Sequence, residues 1–301
     1  MQRGSYAQQS VRSPLPGERV DPLLSEAMDT TVRTPTTLKA PAVAVPTIVL
    51  ASTNLVLYAI VVALAIAGAL PLLVAAAINS VLAYVAYTAM HESVHRNVDR
   101  KRSWLNTTIG MFGALPLYHN VELHKLTHLN HHAHLNNPDK DTDHWVAASN
   151  PVTLLAKCST LFIIHYIDGI KLARQKSDSG ARLRRALIQN TITLAPIIAV
   201  GILVSWRVAL IVQVVPGLVA GLTLGVTFDW LPHHPHASTD PREGTRIITA
   251  RGIWNYPLTW VTLYQNYHQA HHIRPTIPFY LYRQQHEGSV EQLDHAELEL
   301  S

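Results

Sequence analysis

The sequence predicts an all-α integral membrane protein, with four transmembrane helices arranged as two hairpins and a cytoplasmic His-rich cap of short and interfacial helices. Three observations carry this expectation. The 301-residue chain holds only 15% charged residues, where soluble domains carry about 25%. No Asp, Glu, Lys or Arg occurs between Lys39 and Glu92, a stretch that a soluble core does not need but two membrane passes do. Finally, 18 histidines stand against a single cysteine. Any metal chemistry therefore falls to imidazole, and an internal disulfide framework is excluded. Cys158 reads as a packing residue.

The elements follow in order. Residues 1–40 are rich in Ser, Thr, Pro and Gln and too poor in apolar side chains to fold alone, so they read as a disordered tail. They lack the apolar centre of a secretory signal, and Glu18, Asp21, Glu26 and Asp29 are unusual in an organelle-targeting peptide. The first hairpin runs from Thr47 to Met90. A helix needs about 20 residues to cross the hydrocarbon layer, so two crossings with a tight turn near Gly68-Ala69-Leu70-Pro71 use this block completely. The second hairpin comprises Ala186 to Trp206 and Val208 to Phe228, divided by Arg207. Trp104 to Leu117 and Pro151 to Ile167 are short and punctuated, and read as membrane-surface helices. The membrane domain is expected over 41–285, with an acidic tail over 286–301.

Four spans put both termini on one side, and the positive-inside rule names it. Lys171, Arg174, Lys176, Arg182, Arg184 and Arg185 precede the second hairpin, and Arg96, Arg100, Lys101 and Arg102 follow the first, whereas the two hairpin turns hold one arginine between them. The middle segment and both tails are therefore expected in the cytoplasm of a bacterial inner membrane, or in the stroma if the membrane is a plastid's.

The histidines fall in groups on that side. His91 and His95 lie at i and i+4 at the end of the second span, so one helix face presents both. His128, His131 and His132 have i+3 and i+4 spacing, and His268, His271 and His272 repeat it. A fourth group, Leu231-Pro232-His233-His234-Pro235-His236, follows the fourth span. Imidazole suits Zn, Cu, Fe and Ni, and eight or more nitrogens exceed what one tetrahedral ion takes, so two metals are implied. The isolated His119, His165, His286 and His295 read as surface or capped residues. Asp139, Asp141 and Asp143 have the 1, 3, 5 spacing of a calcium loop, but His144 replaces its turn glycine and Asn150 its glutamate, which leaves a solvated turn.

Two other functions are weighed and set aside. His91-Glu-Ser-Val-His95 fits the HExxH of zinc proteases, whose glutamate is the general base. The Leu-Asp-Gly segment that supplies the third ligand of intramembrane versions is missing, and the other histidine groups would have no role. A metal transporter wants polar ligands at mid-span, whereas these spans hold only Asn54, Asn79, Asn190 and Gln213 besides hydroxyls.

The tripartite pattern HxxxH, HxxHH, HxxHH resembles the membrane fatty-acid desaturase and hydroxylase superfamily, over roughly Leu55 to Tyr282. The wording is most similar to carotenoid ring hydroxylases of the β-carotene 3-hydroxylase type. The phrases that carry this are His128-Leu-Asn-His-His132, Asn137-Pro-Asp-Lys-Asp-Thr-Asp-His144, Phe228-Asp-Trp-Leu-Pro-His233, Gln265-Asn-Tyr-His-Gln-Ala-His-His272 and Arg274-Pro-Thr-Ile-Pro-Phe-Tyr280. The Leu-Pro-His element is also shared by carotenoid ketolases.

The resemblance implies two Fe ions, with O2 as co-substrate, held by His91, His95, His128, His131, His132, His268, His271 and His272. His233 matches a further ligand position, while His124, His234 and His236 match none, and a ligand role for His134 does not follow. It further implies Asp229 and Asn266 as partners that orient the imidazoles. The implied reaction removes hydrogen from an unactivated C–H bond of a bilayer-dissolved apolar substrate, giving an alcohol or an alkene. Ring hydroxylation and fatty-acyl desaturation or hydroxylation are the alternatives. The sequence has no dinucleotide fingerprint, haem signature or cysteine cluster, so electrons are expected from a ferredoxin-like or NAD(P)H-linked donor on the basic face. No nucleic-acid partner is expected.

Overall fold

The computed structural model describes residues 38–289. The expected tail residues 1–37 and 290–301, His295 among them, lie outside the described residues. The described chain is helical throughout, apart from one antiparallel bridge between Val43 and Asp99.

Helices α1 (Val45–Ile66) and α2 (Leu72–Val94) form the first hairpin. The turn falls where Gly68 adopts φ +71°, a left-handed conformation without cost only for glycine. Small side chains line the seam: Ala51 of α1 packs with Ala89 of α2, and Ala65 with Ala75, all four buried, as close helix approach in lipid requires. Asn54 Nδ2 donates to the Leu82 carbonyl at 3.0 Å across it. The outward faces carry Val49, Val56, Leu73 and Val81, all exposed.

The short helix α3 (Ser103–Ala114) lies on α2 so closely that a Cβ on Gly113 would sit 2.5 Å from the Ala86 carbonyl oxygen. A 3-10 turn over Leu115–Leu117 completes the expected surface segment. Helix α4 (Val121–Ala133) starts at Asn120, whose Oδ1 accepts from Leu123 N while its Nδ2 donates to the Ala186 carbonyl.

Helix α5 (Pro151–Arg174) corrects the expectation of a short segment ending at Ile167. It is one 24-residue helix, long and apolar enough to cross a membrane. Its polar residues do not interrupt it because each has a partner: Lys157 Nζ donates to the Ala147 carbonyl, His165 meets Asp143, and Lys171 pairs with Asp168.

The second hairpin is a 52-residue helical run, Ser179–Trp230, with one break. Helix α6 (Ser179–Val200) begins seven residues ahead of the expected Ala186, so Arg182, Arg184 and Arg185 belong to its first turns. The break falls at Ser205, which is extended (φ −172°) and whose hydroxyl accepts from Arg207 N. The return leg contains α7 (Trp206–Ala209), α8 (Val215–Leu224) and π-helical turns over Leu210–Val214 and Gly225–Trp230. Pro216 lacks an N–H, so the Val212 carbonyl loses its helical donor. Asn79 of α2 supplies one, with Nδ2 at 2.9 Å. A mid-span asparagine thus repairs the helix opposite it.

The chain then carries three short helices, α9 (Pro241–Gly244), α10 (Asn255–Val261) and α11 (His268–Ile273), and the last described residues, 282–289, are helical.

Candidate metal centre

Helical geometry sorts the histidines before any metal is considered. At about 100° per residue, positions i+3 and i+4 straddle position i on a helix face. In α4 the i, i+4 pair His128 and His132 points one way and His131 the other. In α11 the roles reverse, with His268 and His272 on one side and His271 on the other. The i, i+4 pair of each helix therefore meets the single i+3 histidine of its partner.

Two groups of Nε2 atoms result. In the first, His95 and His128 are 2.9 Å apart, His128 and His132 3.2 Å, His132 and His271 3.0 Å, and His271 and His91 3.2 Å. In the second, His131 and His272 are 3.3 Å apart, His272 and His268 3.0 Å, and His268 and His233 3.0 Å. The His132 and His272 rings stack at 4.3 Å and join the groups. An imidazole nitrogen carries either a proton or a lone pair, and an N–H points at one acceptor. These chains of contacts therefore cannot all be hydrogen bonds. Lone pairs converging on a cation fit the arrangement, and both groups can hold metal.

The Nδ1 atoms point outward. His131 Nδ1 donates to the Asp141 carboxylate at 2.9 Å and has Asp143 at 3.4 Å. His271 Nδ1 donates to the Tyr282 hydroxyl at 2.9 Å, which donates to Glu92 Oε1 at 3.0 Å. His268 Nδ1 reaches Gln265 Oε1 at 3.4 Å. A proton held on Nδ1 leaves the lone pair on Nε2, the tautomer a metal ligand requires. Burial first, then neighbouring imidazoles, hold His95, His128, His132, His233, His268, His271 and His272 well below the usual histidine range, so they present neutral rings. His131 is the exception. Burial pushes it down, but Asp141 and Asp143 outweigh that and hold it at about 9.

The chain belongs to the fatty acid desaturase family. Its sequence profile matches residues 63–300, which takes in all nine converging histidines. No curated protein matches the chain significantly. With four helices or helical runs long and apolar enough to cross a bilayer, this desaturase-family chain is an integral membrane protein.

Glu92 shows why the HExxH pattern is not a protease site here. It is fully buried, spends its oxygens on Tyr282 and on the backbone N–H of Phe279 at 3.1 Å, and has Oε1 3.5 Å from the outward-facing Nδ1 of His91, so it stands behind the rings and not among the converging Nε2 atoms. Asn97 adds donations to the Pro275 and Ile277 carbonyls, so the Arg274-to-Tyr280 phrase is a platform clasped by the end of α2.

Other expectations change. Asn266 orients no imidazole: its Nδ2 donates to the Ile248 carbonyl and Thr259, and its Oδ1 accepts from Thr262, because the side chain faces α10 and the loop before it. Asp229 is buried but makes no hydrogen bond or ion pair with a histidine among the described residues. Asp141 and Asp143 are not a solvated turn. Both are buried, and Asp141 also accepts from Asn136 N and Asp143 N, which folds the turn onto His131. Their distance along the sequence from His131 gave no periodic signal. His119 and His165 are buried rather than surface residues. In the Pro-rich loop, His233 alone joins a group, while His234 packs on Trp230 and His236 on His144.

Proposed function

We propose that the chain is a di-iron, O2-dependent oxidase of a membrane-dissolved lipid, and that its reaction is hydroxylation of a β-carotene-type ring. The convergence of nine Nε2 atoms in a five and a four beside apolar helices carries this reading. The phrases from His128 to His132, Phe228 to His233 and Gln265 to Tyr280 support the carotenoid assignment. His91, His95, His128, His132 and His271 would hold one iron, and His131, His233, His268 and His272 the other. When bound, the iron pair reacts with O2 and supplies the oxidising power to take hydrogen from an unactivated C–H bond.

The chain's own residues do the rest. Glu92 through Tyr282, and Asp141 directly, keep protons on the Nδ1 atoms of His271 and His131. Phe228 packs on His91 at 5.1 Å and on His268 at 4.7 Å, so one ring from the end of the last span covers both groups and excludes water from the membrane side. A substrate entering from the bilayer would meet that ring first. Electrons would come from a ferredoxin-like or NAD(P)H-linked partner. The depression lined by His95, Arg96, Asn97, Arg100 and Thr276 suits an acidic donor, since it is cationic and reaches a ligand. This face and both termini would be cytoplasmic.

The test is expression in a β-carotene-producing host, with pigments and acyl chains both profiled. New hydroxylated carotenoid is the expected result. The family match favours acyl desaturation as a second reading, and unchanged pigment with new acyl double bonds would establish it instead.

A further inference from the structure

A third histidine cluster lies outside the nine. His119 precedes α4, His124 sits in its second turn, and His165 comes from α5. All three are buried, and one nitrogen from each lies within 4.8 Å of the other two. Four of their nitrogens have no partner: His119 Nε2, both nitrogens of His124, and His165 Nδ1. Native structures leave few buried polar atoms unpaired, and a cation held by them is one recognised reason. The fifth relevant nitrogen, His165 Nε2, donates to Asp143 Oδ1 at 2.7 Å. That contact is the carboxylate–histidine pairing found behind metal ligands, and it frees Nδ1 to face the cluster. Phe162 stacks on His119 at 4.6 Å and Tyr87 lies edge-on to His124, so the surroundings are dry and aromatic. Burial beside His165 takes His119 down to about 3, which leaves it a neutral ring.

We propose that His119, His124 and His165 form a separate mononuclear site for a divalent cation of the zinc class, with a fourth position open. Three imidazoles backed by one carboxylate are a donor set zinc accepts. The ion would tie the turn before α4 to α5, two elements otherwise joined here through apolar packing. Asp143 touches both His165 and His131, so this site and the nine-histidine centre share one carboxylate. The proposal does not depend on which metals fill the larger centre.

Elemental analysis of the full chain, purified from medium supplemented with iron and zinc, tests it. About one zinc per chain is expected in addition to iron, with three imidazoles on zinc at roughly 2.0–2.1 Å by X-ray absorption. The His119→Ala/His165→Ala double variant should lose that zinc and keep its iron. Because this variant could fail to fold, Co2+ is also added to the iron-loaded wild-type chain, where a tetrahedral visible spectrum is expected. The site is disproved if wild-type protein takes up neither zinc nor cobalt beyond its iron. It is equally disproved if the zinc carries fewer than three imidazoles, or if a folded double variant retains it.

Discussion

The five-histidine and four-histidine groups draw on the same two helices, α4 and α11, and yet are held in different ways. The five take an i, i+4 pair from the end of α2; the Glu92 carboxylate lies 3.5 Å from His91 Nδ1 without a hydrogen bond, and the group's hydrogen-bonded outer contact runs through a neutral hydroxyl, His271 to Tyr282 to Glu92. The four take their extra member, His233, from an irregular loop, and one of them leans directly on carboxylate, His131 on Asp141 at 2.9 Å. Burial and like neighbours push His95, His128, His132 and His271 down, whereas Asp141 and Asp143 hold His131 up at about 9. Identical ligand spacing thus yields two electrostatically unequal halves. The inequality comes from what stands behind the rings.

Removing a ligand breaks the comparison most sharply. His233→Ala should abolish turnover and drop iron from about two per chain toward one, with a loss above the roughly 100-fold typical of outer partners. His234→Ala and His236→Ala should keep most activity, since neither ring joins a group. Iron analysis and turnover of the three variants, which delete the same atoms within four residues, provide the check. A dead His236→Ala beside an active His233→Ala would overturn the assignment.

Next come the outer partners. Asp141→Asn should cost about 10–100-fold in iron affinity or turnover. Tyr282→Phe should cost less, because it removes a neutral contact and leaves Glu92 its bond to Phe279 N. Equal losses in a competitive chelator titration of the two variants would show that direct charge gives the four-histidine half no advantage.

Metal-free protein should show the inequality as two limbs in a melting-temperature profile against pH. His95, His128, His132 and His271 have depressed folded values. Their contribution is full above the unfolded value near 6.5 and is lost as pH falls. His131 has a raised value, so its contribution is full below about 6.5 and disappears as pH rises through about 9. Asp141→Asn should flatten the alkaline limb and leave the acid limb in place.

The smallest effect belongs to Asn266→Ala. It sits two residues from His268 but bonds only the Ile248 carbonyl and the threonines at the end of α10. A loss of about 1–3 kcal/mol from an unpaired loop carbonyl is expected, with iron content unchanged. Iron loss on this substitution would mean that loop order reaches the four-histidine half.

Eight of the nine histidines were legible in the sequence because helical spacing is a local property: His91 to His95, His128 to His132 and His268 to His272 declare their faces without any tertiary information, whereas His233 was singled out from its neighbours only by the family phrase that contains it. The two hairpins were legible for the same reason, since length and apolarity suffice. What escaped was non-local. Asp141 and Asp143 look like any acidic turn until the chain folds back on His131. Tyr282 and Glu92 meet across most of the domain. His119 and His165 carry no periodicity alone, and the length of α5 was hidden because its polar residues find partners only in the folded chain.

The clasp between the end of α2 and the Pro275-to-Tyr282 segment sets an order of manufacture. Ribosomes release a chain from its N-terminus at about 5–20 residues per second, so the first two histidine boxes are complete many seconds before Glu92 can receive Phe279 N and Tyr282. Until α11 is made, neither nitrogen group has its His268, His271 or His272 members. On the di-iron reading, neither half of the centre would be complete for metal before the segment from His268 to Tyr282 has been made.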